Sequence, residues 1–422
     1  MQNILDRTKA PEVKPIGSFS LPTVNIERVK NTSLFSYKSD ATPLVRIQIV
    51  FDYGTIDTTR AGLLSFYSTL ANDEAGSYNH LELKEKIAFY GSAIEISPGH
   101  HHTTFTLYSQ SKFASSLISL LFDVIISPSL AEERIDSLKQ KALQSQLIQE
   151  EKTSFWNTYH FNQSFYAKGH PYGFVRTTED IKSITQAELI NIKEGLLSRQ
   201  TNCFVAGDYD TAIIDVLKEN LLKLNHSNSN NNRNENVLSN EAFQIYKEKK
   251  GSVQSSLKMG ISAINRSHAD YHALYLANII FGGYFGSRLM QNIREEKGYT
   301  YGIYSQFQHL KLSSQIIIGA DVVKKHNQDV IDEIKKELIR LQEEQVSIQE
   351  LNSAREYIKG KILNSIGTAF QVMDKASFLF YENLPQNYYQ QLFTKLDSVQ
   401  VDDILTVAKK HLSTDFSYCI YG

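Results

Sequence analysis

The stretch GGYFGSRLMQNIREEKGYTYG at residues 282–302 lies between two segments with different patterns. Before it, the apolar run of residues 271–281 predicts a helix. After it, the chain predicts a strand that ends in the isoleucines at 316–318. Upstream, apolar side chains alternate along residues 257–261, the period-2 pattern of a half-buried strand. Helical patterns follow the second strand, so the order is strand, helix, strand and then helices.

The first half of the chain repeats this order. Residues 45–51 alternate apolar and mostly polar side chains, and residues 63–70 place apolar side chains at helical spacing. A second strand containing Phe105 and Leu107 follows, and then helices separated at Pro128. The sequence therefore predicts a duplicated α+β unit in two domains. Because runs of helices follow the strands, we expect each sheet to be mainly antiparallel with helices packed on one face.

A polar segment, NHSNSNNNRNENVLSN at residues 225–240, divides the chain into near-equal halves. It is too polar to pack and is typical of a flexible linker. We predict an N-terminal extension at 1–20, a first domain at 21–225, a linker at 226–240 and a second domain at 241–422.

Composition excludes several classes of protein. The 422 residues carry a formal net charge of -2 without a long block of one sign, so we expect no nucleic acid and no membrane partner. The most apolar run, LISLLFDVIIS, is too short to span a bilayer and contains Asp123. Cys203 and Cys419 do not form a disulfide framework. The N-terminus has no secretory pattern, so we expect a cytoplasmic location.

Common catalytic motifs are absent: there is no phosphate loop, no G-x-S-x-G, no C-x-x-C, and neither H-E-x-x-H nor H-x-x-E-H. The histidines at 100–102 would place His100 and His102 on one strand face, but they lack a third ligand. His268 and His272 are spaced i, i+4 and could hold an adventitious metal, although an exposed first helical turn is the simpler interpretation.

Three stretches match one family together: GHPYG at 169–173, FVAGDYD at 204–210, and the stretch at 282–302. The chain resembles the insulinase and mitochondrial-processing-peptidase family of zinc metallopeptidases, over nearly its whole length from about Leu21. The resemblance implies a half-clamshell of two similar domains.

Active members carry H-x-x-E-H on the first helix of the first domain. The matching segment here is GLLSFYST at 62–69, which places Ser65, Ser68 and Thr69 at the motif positions. Neutral hydroxyls are poor zinc ligands and cannot activate a water molecule near neutral pH. We therefore expect no metal in this chain. The resemblance puts the third ligand position somewhere in 143–151, among these residues: Gln144, Gln146, Gln149, Glu150 and Glu151.

Two further matches concern substrate. The strand that pairs with substrate in the family corresponds to GSAIEI at 91–96, with these candidate contacts: Ser92, Ala93, Ile94 and Glu95. In the second domain, Arg294 and Tyr301 have the seven-residue spacing of a family pair that contacts the substrate at the zinc. A guanidinium can hold a peptide carbonyl, and a phenol can donate to an oxyanion.

The resemblance implies a function in partnership. In two-chain bacterial members and in the mitochondrial enzyme, one chain supplies zinc and the other supplies the opposing wall. We expect this chain to be such a non-catalytic subunit, inactive alone, with zinc only in a homologous partner and with peptide as substrate. The alternatives are a non-proteolytic scaffold or peptide-binding module that pairs with itself, and a peptidase whose zinc site lies elsewhere.

Overall fold

A computed structural model describes residues 16–17, 19–224, 237–239 and 241–422 of the protein. Most of the predicted extension at 1–20 and of the predicted linker at 226–240 lies outside these residues. No helix within the described residues is long and apolar enough to cross a membrane.

The first half forms a mixed sheet. Its strands are β1 (Asn25–Val29), β2 (Thr32–Lys38), β3 (Leu44–Phe51), β4 (Ala93–Pro98), β5 (Thr103–Gln110) and β6 (Thr201–Gly207). The order across the sheet is β1-β2-β6-β3-β5-β4, and every pair is antiparallel except β2 with β6. Strand β4 therefore lies at one edge.

The second half forms a similar sheet. Its strands are β7 (Gln244–Lys247), β8 (Gln254–Ser262), β9 (Thr300–Leu310), β10 (Ser313–Val323) and β11 (Ser417–Tyr421). The order is β7-β11-β8-β10-β9, and only β7 with β11 is parallel. The predicted single strand before residue 318 is in fact a hairpin of β9 and β10. The turn at residues 311–312 carries no glycine or proline that would have indicated it.

Helices cover the sheets. The first half has α1 (Leu63–Ala71), α2 (His80–Phe89), α3 (Ser111–Ile126), α4 (Glu132–Glu150), α5 (Thr153–Phe165), α6 (Thr178–Lys182), α7 (Gln186–Leu197) and α8 (Thr211–Leu221). The second half has α9 (Tyr271–Asn278), α10 (Asn327–Glu343), α11 (Ile348–Asn364), α12 (Ala369–Tyr381), α13 (Tyr388–Ser398) and α14 (Val401–His411). The predicted helix at 271–281 continues past α9 as a π-helical turn (Ile279–Gly283), and a second π-helical turn spans Met290–Glu296.

The alternating pattern of β3 produces the first core. Val45, Ile47 and Ile49 are fully buried and pack with the apolar faces of α1 and α3. This confirms the predicted α+β class, with two mainly antiparallel sheets packed against helices.

One helix of each half packs on the sheet of the other half. Helix α5 of the first half packs on β8 and β11, where Asn157 Nδ2 donates to the carbonyls of Ser256 (2.7 Å) and Cys419 (2.6 Å). Helix α12 of the second half packs on β2 and β6 in return. Each sheet thus has one helix from the other half on its remaining face, and the halves are interlocked.

Candidate functional site

Helix α1 carries the three motif positions, and it begins at Gly62, whose φ of 79° is in the left-handed region. Ser65 Oγ donates to the Gly62 carbonyl (2.9 Å), Ser68 Oγ to the Leu64 carbonyl (2.7 Å) and Thr69 Oγ1 to the Ser65 carbonyl (3.0 Å). Each hydroxyl proton is therefore engaged by the backbone of the same helix. At these positions α1 offers no imidazole and no carboxylate.

The five candidates at the C-terminal end of α4 differ in burial. Gln146 is 2% exposed and Glu150 is half-buried, whereas those at 144, 149 and 151 are exposed. Glu150 accepts from Gln146 Nε2 (3.2 Å) and from the backbone N–H of Thr178 (2.7 Å). Gln146 Oε1 accepts from Arg176 Nε (3.2 Å), and Gln146 Nε2 donates to the Arg176 carbonyl (2.9 Å). The Arg176 side chain in turn lies against Gly62, where any added Cβ would collide with it. The one fully buried candidate is thus a neutral amide that is bonded to a cation.

This donor set does not fit zinc. Three hydroxyls and an amide lack the anionic or imidazole ligands of zinc sites. The guanidinium of Arg176 adds a positive charge beside the first turn of α1, and burial lowers its pKa while nearby Asp180 partly opposes that shift. A divalent cation would be repelled here.

The predicted substrate strand is β4, and it does lie at a sheet edge next to α1. Ser92 precedes the strand, and its Oγ bonds to Ser109 Oγ (3.1 Å). The carbonyl of Ile94 accepts from Asn72 Nδ2 at the end of α1 (2.9 Å), so one backbone acceptor is engaged. Ala93 and Glu95 pair with β5, and Glu95 is exposed.

Arg294 and Tyr301 come together in the second half. The guanidinium carbon of Arg294 lies 5.7 Å from the ring centroid of Tyr301 and 4.7 Å from that of Phe285. Tyr301 is 89% exposed and Phe285 is 64% exposed. The only ion pair of Arg294 within the described residues is a 3.9 Å contact with Glu295. Sequence reasoning missed Phe285, although it lies within the stretch at 282–302.

The backbone that carries Arg294 is firmly anchored. Arg288 bonds to Glu350 of α11 (2.9 and 3.3 Å), and Asn292 Nδ2 donates to Glu333 (3.1 Å) and Glu337 (2.8 Å) of α10. The segment is therefore fixed on both sides while the Arg294 side chain projects at the surface. Among the described residues, no hydrogen bond or ion pair joins Arg294 or Tyr301 to the motif positions of α1.

The histidine run at 100–102 does not form a ligand set. His100 Nδ1 lies 3.0 Å from Thr55 Oγ1, His101 bonds to the Tyr172 hydroxyl, and His102 lies 3.5 Å from Asp52. The three rings thus have three different partners.

The pairing of His268 with His272 is wrong, because α9 begins only at Tyr271 and His268 precedes it. His268 lies instead near Asp270 and His411, with candidate ligand atoms within 4.8 Å of one another. Asp270 Oδ2 accepts from His411 Nε2 and from Lys410 Nζ, both at 2.7 Å. These bonds lower the pKa of Asp270 to about 2, with His411 the larger cause. An ion-pair network accounts for this cluster.

Comparisons with known proteins agree with this geometry. The family described as "Peptidase M16 inactive domain" matches residues 191–358. The probable inactive metalloprotease YmfF of Bacillus subtilis is 22% identical over 334 residues, which are 75% of each chain. The non-peptidase homolog YmxG of Helicobacter pylori is 22% identical over 86% of this chain and 85% of its own. An uncharacterized zinc protease of Rickettsia felis is also 22% identical, over 94% of this chain and 97% of its own.

Solved structures share the fold. The M16 inactive domain of Pseudomonas fluorescens gives a TM-score of 0.83 at 18% identity, over 94% of this chain and 97% of that chain. The periplasmic protease PqqL of Escherichia coli gives a TM-score of 0.78 at 13% identity, and the match covers 99% of this chain and 49% of that chain.

The fold and the altered motif define a metallopeptidase-like protein without a zinc site at the family position. The chain is similar to M16 peptidases and to their inactive homologues, and the resemblance found in the sequence is confirmed.

Proposed function

We propose that this chain is the non-catalytic subunit of a peptidase pair. It supplies the wall opposite a zinc-bearing homologous partner, and Arg294 and Tyr301 contact the peptide held at the zinc of that partner. The observation that carries the proposal is the exposed cluster of Phe285, Arg294 and Tyr301 on an anchored backbone.

The chemistry of this cluster suits a peptide. The guanidinium lies against two aromatic rings, and its N–H groups make no side-chain hydrogen bond within the described part of the chain. Those donors are free to hold a peptide carbonyl, and the Tyr301 phenol is free to donate to a developing oxyanion. Arginine and tyrosine are also the residue types that contribute most to binding at protein surfaces.

The chemistry of the first half supports the proposal of a partner. Helix α1 presents hydroxyls that bond to its own backbone, and Gln146 is held by Arg176. With no ligand set at this place, the contacts of Arg294 and Tyr301 have a role in hydrolysis only if another chain brings the metal. Within the described residues, and apart from the Ile94 carbonyl, which accepts from Asn72, the edge of β4 is open for peptide pairing by strand addition.

The proposal is tested with the M16 homologue of the same organism that carries an intact H-x-x-E-H motif. Hydrolysis of an unstructured fluorogenic peptide by the pair is measured with wild-type chain and with Arg294→Ala. We expect kcat/KM to fall about 10- to 100-fold, the effect of one lost transition-state contact. Arg28→Ala on β1 is the matched control, because Arg28 is exposed in the first half and donates to the Lys30 carbonyl two residues away. Unchanged activity of the Arg294→Ala pair contradicts the assigned role.

A non-proteolytic scaffold or peptide-binding module remains the alternative function. It uses the same free edge of β4 but needs no zinc-bearing partner. Light scattering separates the two: the alternative predicts a homodimer that ignores the homologue, and the proposal predicts a mixed pair.

A further inference from the structure

A cavity of about 220 Å³ lies between α5 and one face of the second sheet. Helix α5 contributes Ser154 and Thr158 to its wall. Neighbouring positions of β8, β10 and β9 contribute the floor, because Lys258 pairs with Gly319 and Gly319 pairs with Tyr304. The cavity is thus polar and carries one amine.

Glycine keeps this space open. The Tyr304 hydroxyl lies across Gly319, so close that an added Cβ there could not be accommodated without movement. Gly302, two residues before Tyr304 on β9, also lines the cavity. The hollow beside Lys258 is therefore bordered by two sheet positions that carry no side chain.

The amine of Lys258 has few partners. Its Nζ makes a long hydrogen bond to Asn162 Oδ1 (3.4 Å) and lies 5.3 Å from the Phe161 ring centroid. No carboxylate lies within 4.0 Å of it among the described residues. The titratable groups near it are Asp321 of β10, Tyr304 of β9 and Cys419 of β11.

Burial lowers the pKa of Lys258 to about 8, and Cys419 partly opposes this shift. A large fraction of the amine is then neutral near pH 8, and a neutral amine is a nucleophile. Acylation would also replace a half-buried cation by a neutral amide, which costs less to bury.

We propose that Lys258 is a modification site that accepts acyl groups from small activated donors, acyl phosphates or acyl thioesters, which enter this cavity. The Lys258 Nζ lone pair attacks the acyl carbon and forms a C–N bond. The bond from that carbon to the phosphate oxygen or thioester sulfur breaks, and the leaving group takes the electron pair. The nitrogen releases a proton to solvent. Hydroxyls of Ser154, Thr158 and Tyr304 line the space in which the carbonyl oxygen is placed.

The test uses the full chain and acetyl phosphate from pH 6.5 to 10, with acetylation at each lysine followed by peptide mass spectrometry. We expect the Lys258 rate to reach half its maximum near pH 8, and at pH 7.5 to exceed the Lys336 rate at least about tenfold. Lys336 is the control, because it is exposed on α10 and its hydrogen bond to Glu333 raises its pKa. A Lys258 rate at or below that of Lys336, or one that rises only near pH 10, overturns the proposal.

A second variant tests the route through the cavity. Thr158→Phe fills the space beside Lys258, and we expect it to slow acetylation of Lys258 at least about fivefold while Lys336 is unaffected. Thr406→Phe on the exposed face of α14 is the matched control. Circular dichroism verifies that both variants are folded. An unchanged Lys258 rate in folded Thr158→Phe overturns the entry of donors through this cavity.

Discussion

Arg46 of β3 and Asp374 of α12 form an ion pair of 2.5 Å across 328 positions of sequence. Arg46 is buried and also donates to the Phe370 carbonyl (2.8 Å), so Arg46 joins the N-terminal part of helix α12 to the first sheet. The pair therefore links the two halves directly.

Removing this pair should destabilise the protein. Asp374→Ala leaves the buried Arg46 without its anion, and we expect a loss of about 1–2 kcal/mol in the free energy of unfolding, since Asp374 itself is half exposed. Urea unfolding followed by the fluorescence of Trp156, the only tryptophan, gives the value. Asp136→Ala on α4 is the control and should change stability by no more than about 0.5 kcal/mol. Equal effects of both variants would contradict the link.

Stability should also depend on pH through His309. Burial, with Arg266 as a smaller cause, lowers its pKa to about 3. Because the folded pKa is below the unfolded value of about 6.5, the unfolded chain binds more protons and stability falls as pH decreases from 6.5 toward 3. We expect His309→Gln to reduce the stability loss between pH 7.5 and pH 5 by about 2 kcal/mol, since about 1.4 kcal/mol is lost for each pH unit below 6.5. An identical pH dependence in the variant would mean that His309 is not held neutral.

The protein should contain almost no zinc. Elemental mass spectrometry of chelator-free protein is expected to give less than about 0.1 zinc per chain, because the α1 positions offer only neutral oxygens. One tightly held zinc per chain would contradict this. His268, Asp270 and His411 would then be the first residues to replace.

The position of the third ligand can be tested by rebuilding the motif. Ser65→His, Ser68→Glu and Thr69→His together restore H-x-x-E-H on α1. Adding Gln146→Glu should raise zinc affinity at least about tenfold, because Gln146 is the buried candidate on α4 and bonds to Arg176, whose side chain lies against Gly62 at the start of α1. Calorimetric zinc titration gives the affinity.

The same rebuilt helix with Gln144→Glu is the control, since residue 144 is exposed on the same helix. Equal gains from both carboxylates would mean that Gln146 does not occupy the third position. If the buried Ser68→Glu change prevents folding, the comparison is repeated with serine retained at 68, because it concerns the ligands alone.

The sequence predicted β3, α1, β5, α3 and α4 in the first half and β8, α9, α10 and α11 in the second, because alternation and helical spacing are local patterns. It did not predict the remaining strands and helices, and it merged β9 and β10 into one strand. It could not predict that α5 and α12 each pack on the sheet of the other half. An amphipathic pattern shows that one face of a helix is buried, but not which sheet covers that face. The ligand register on α4 likewise depends on Arg176, a contact 30 residues away from Gln146. The contact between His411 and Asp270 could not be predicted for the same reason, because the two residues lie 141 positions apart in the sequence. Motif spacing did place Arg294 and Tyr301 near each other, because they lie on consecutive local elements, and their role in substrate contact stays a prediction.

The most direct test of the account is hydrolysis by the reconstituted pair. This chain, its H-x-x-E-H homologue and an equimolar mixture are each incubated with the fluorogenic peptide, and complex formation is followed by light scattering. The account predicts no hydrolysis by this chain alone, and a 1:1 complex whose rate exceeds that of the homologue alone at least about 100-fold. A homologue that is fully active by itself and forms no complex with this chain would contradict it.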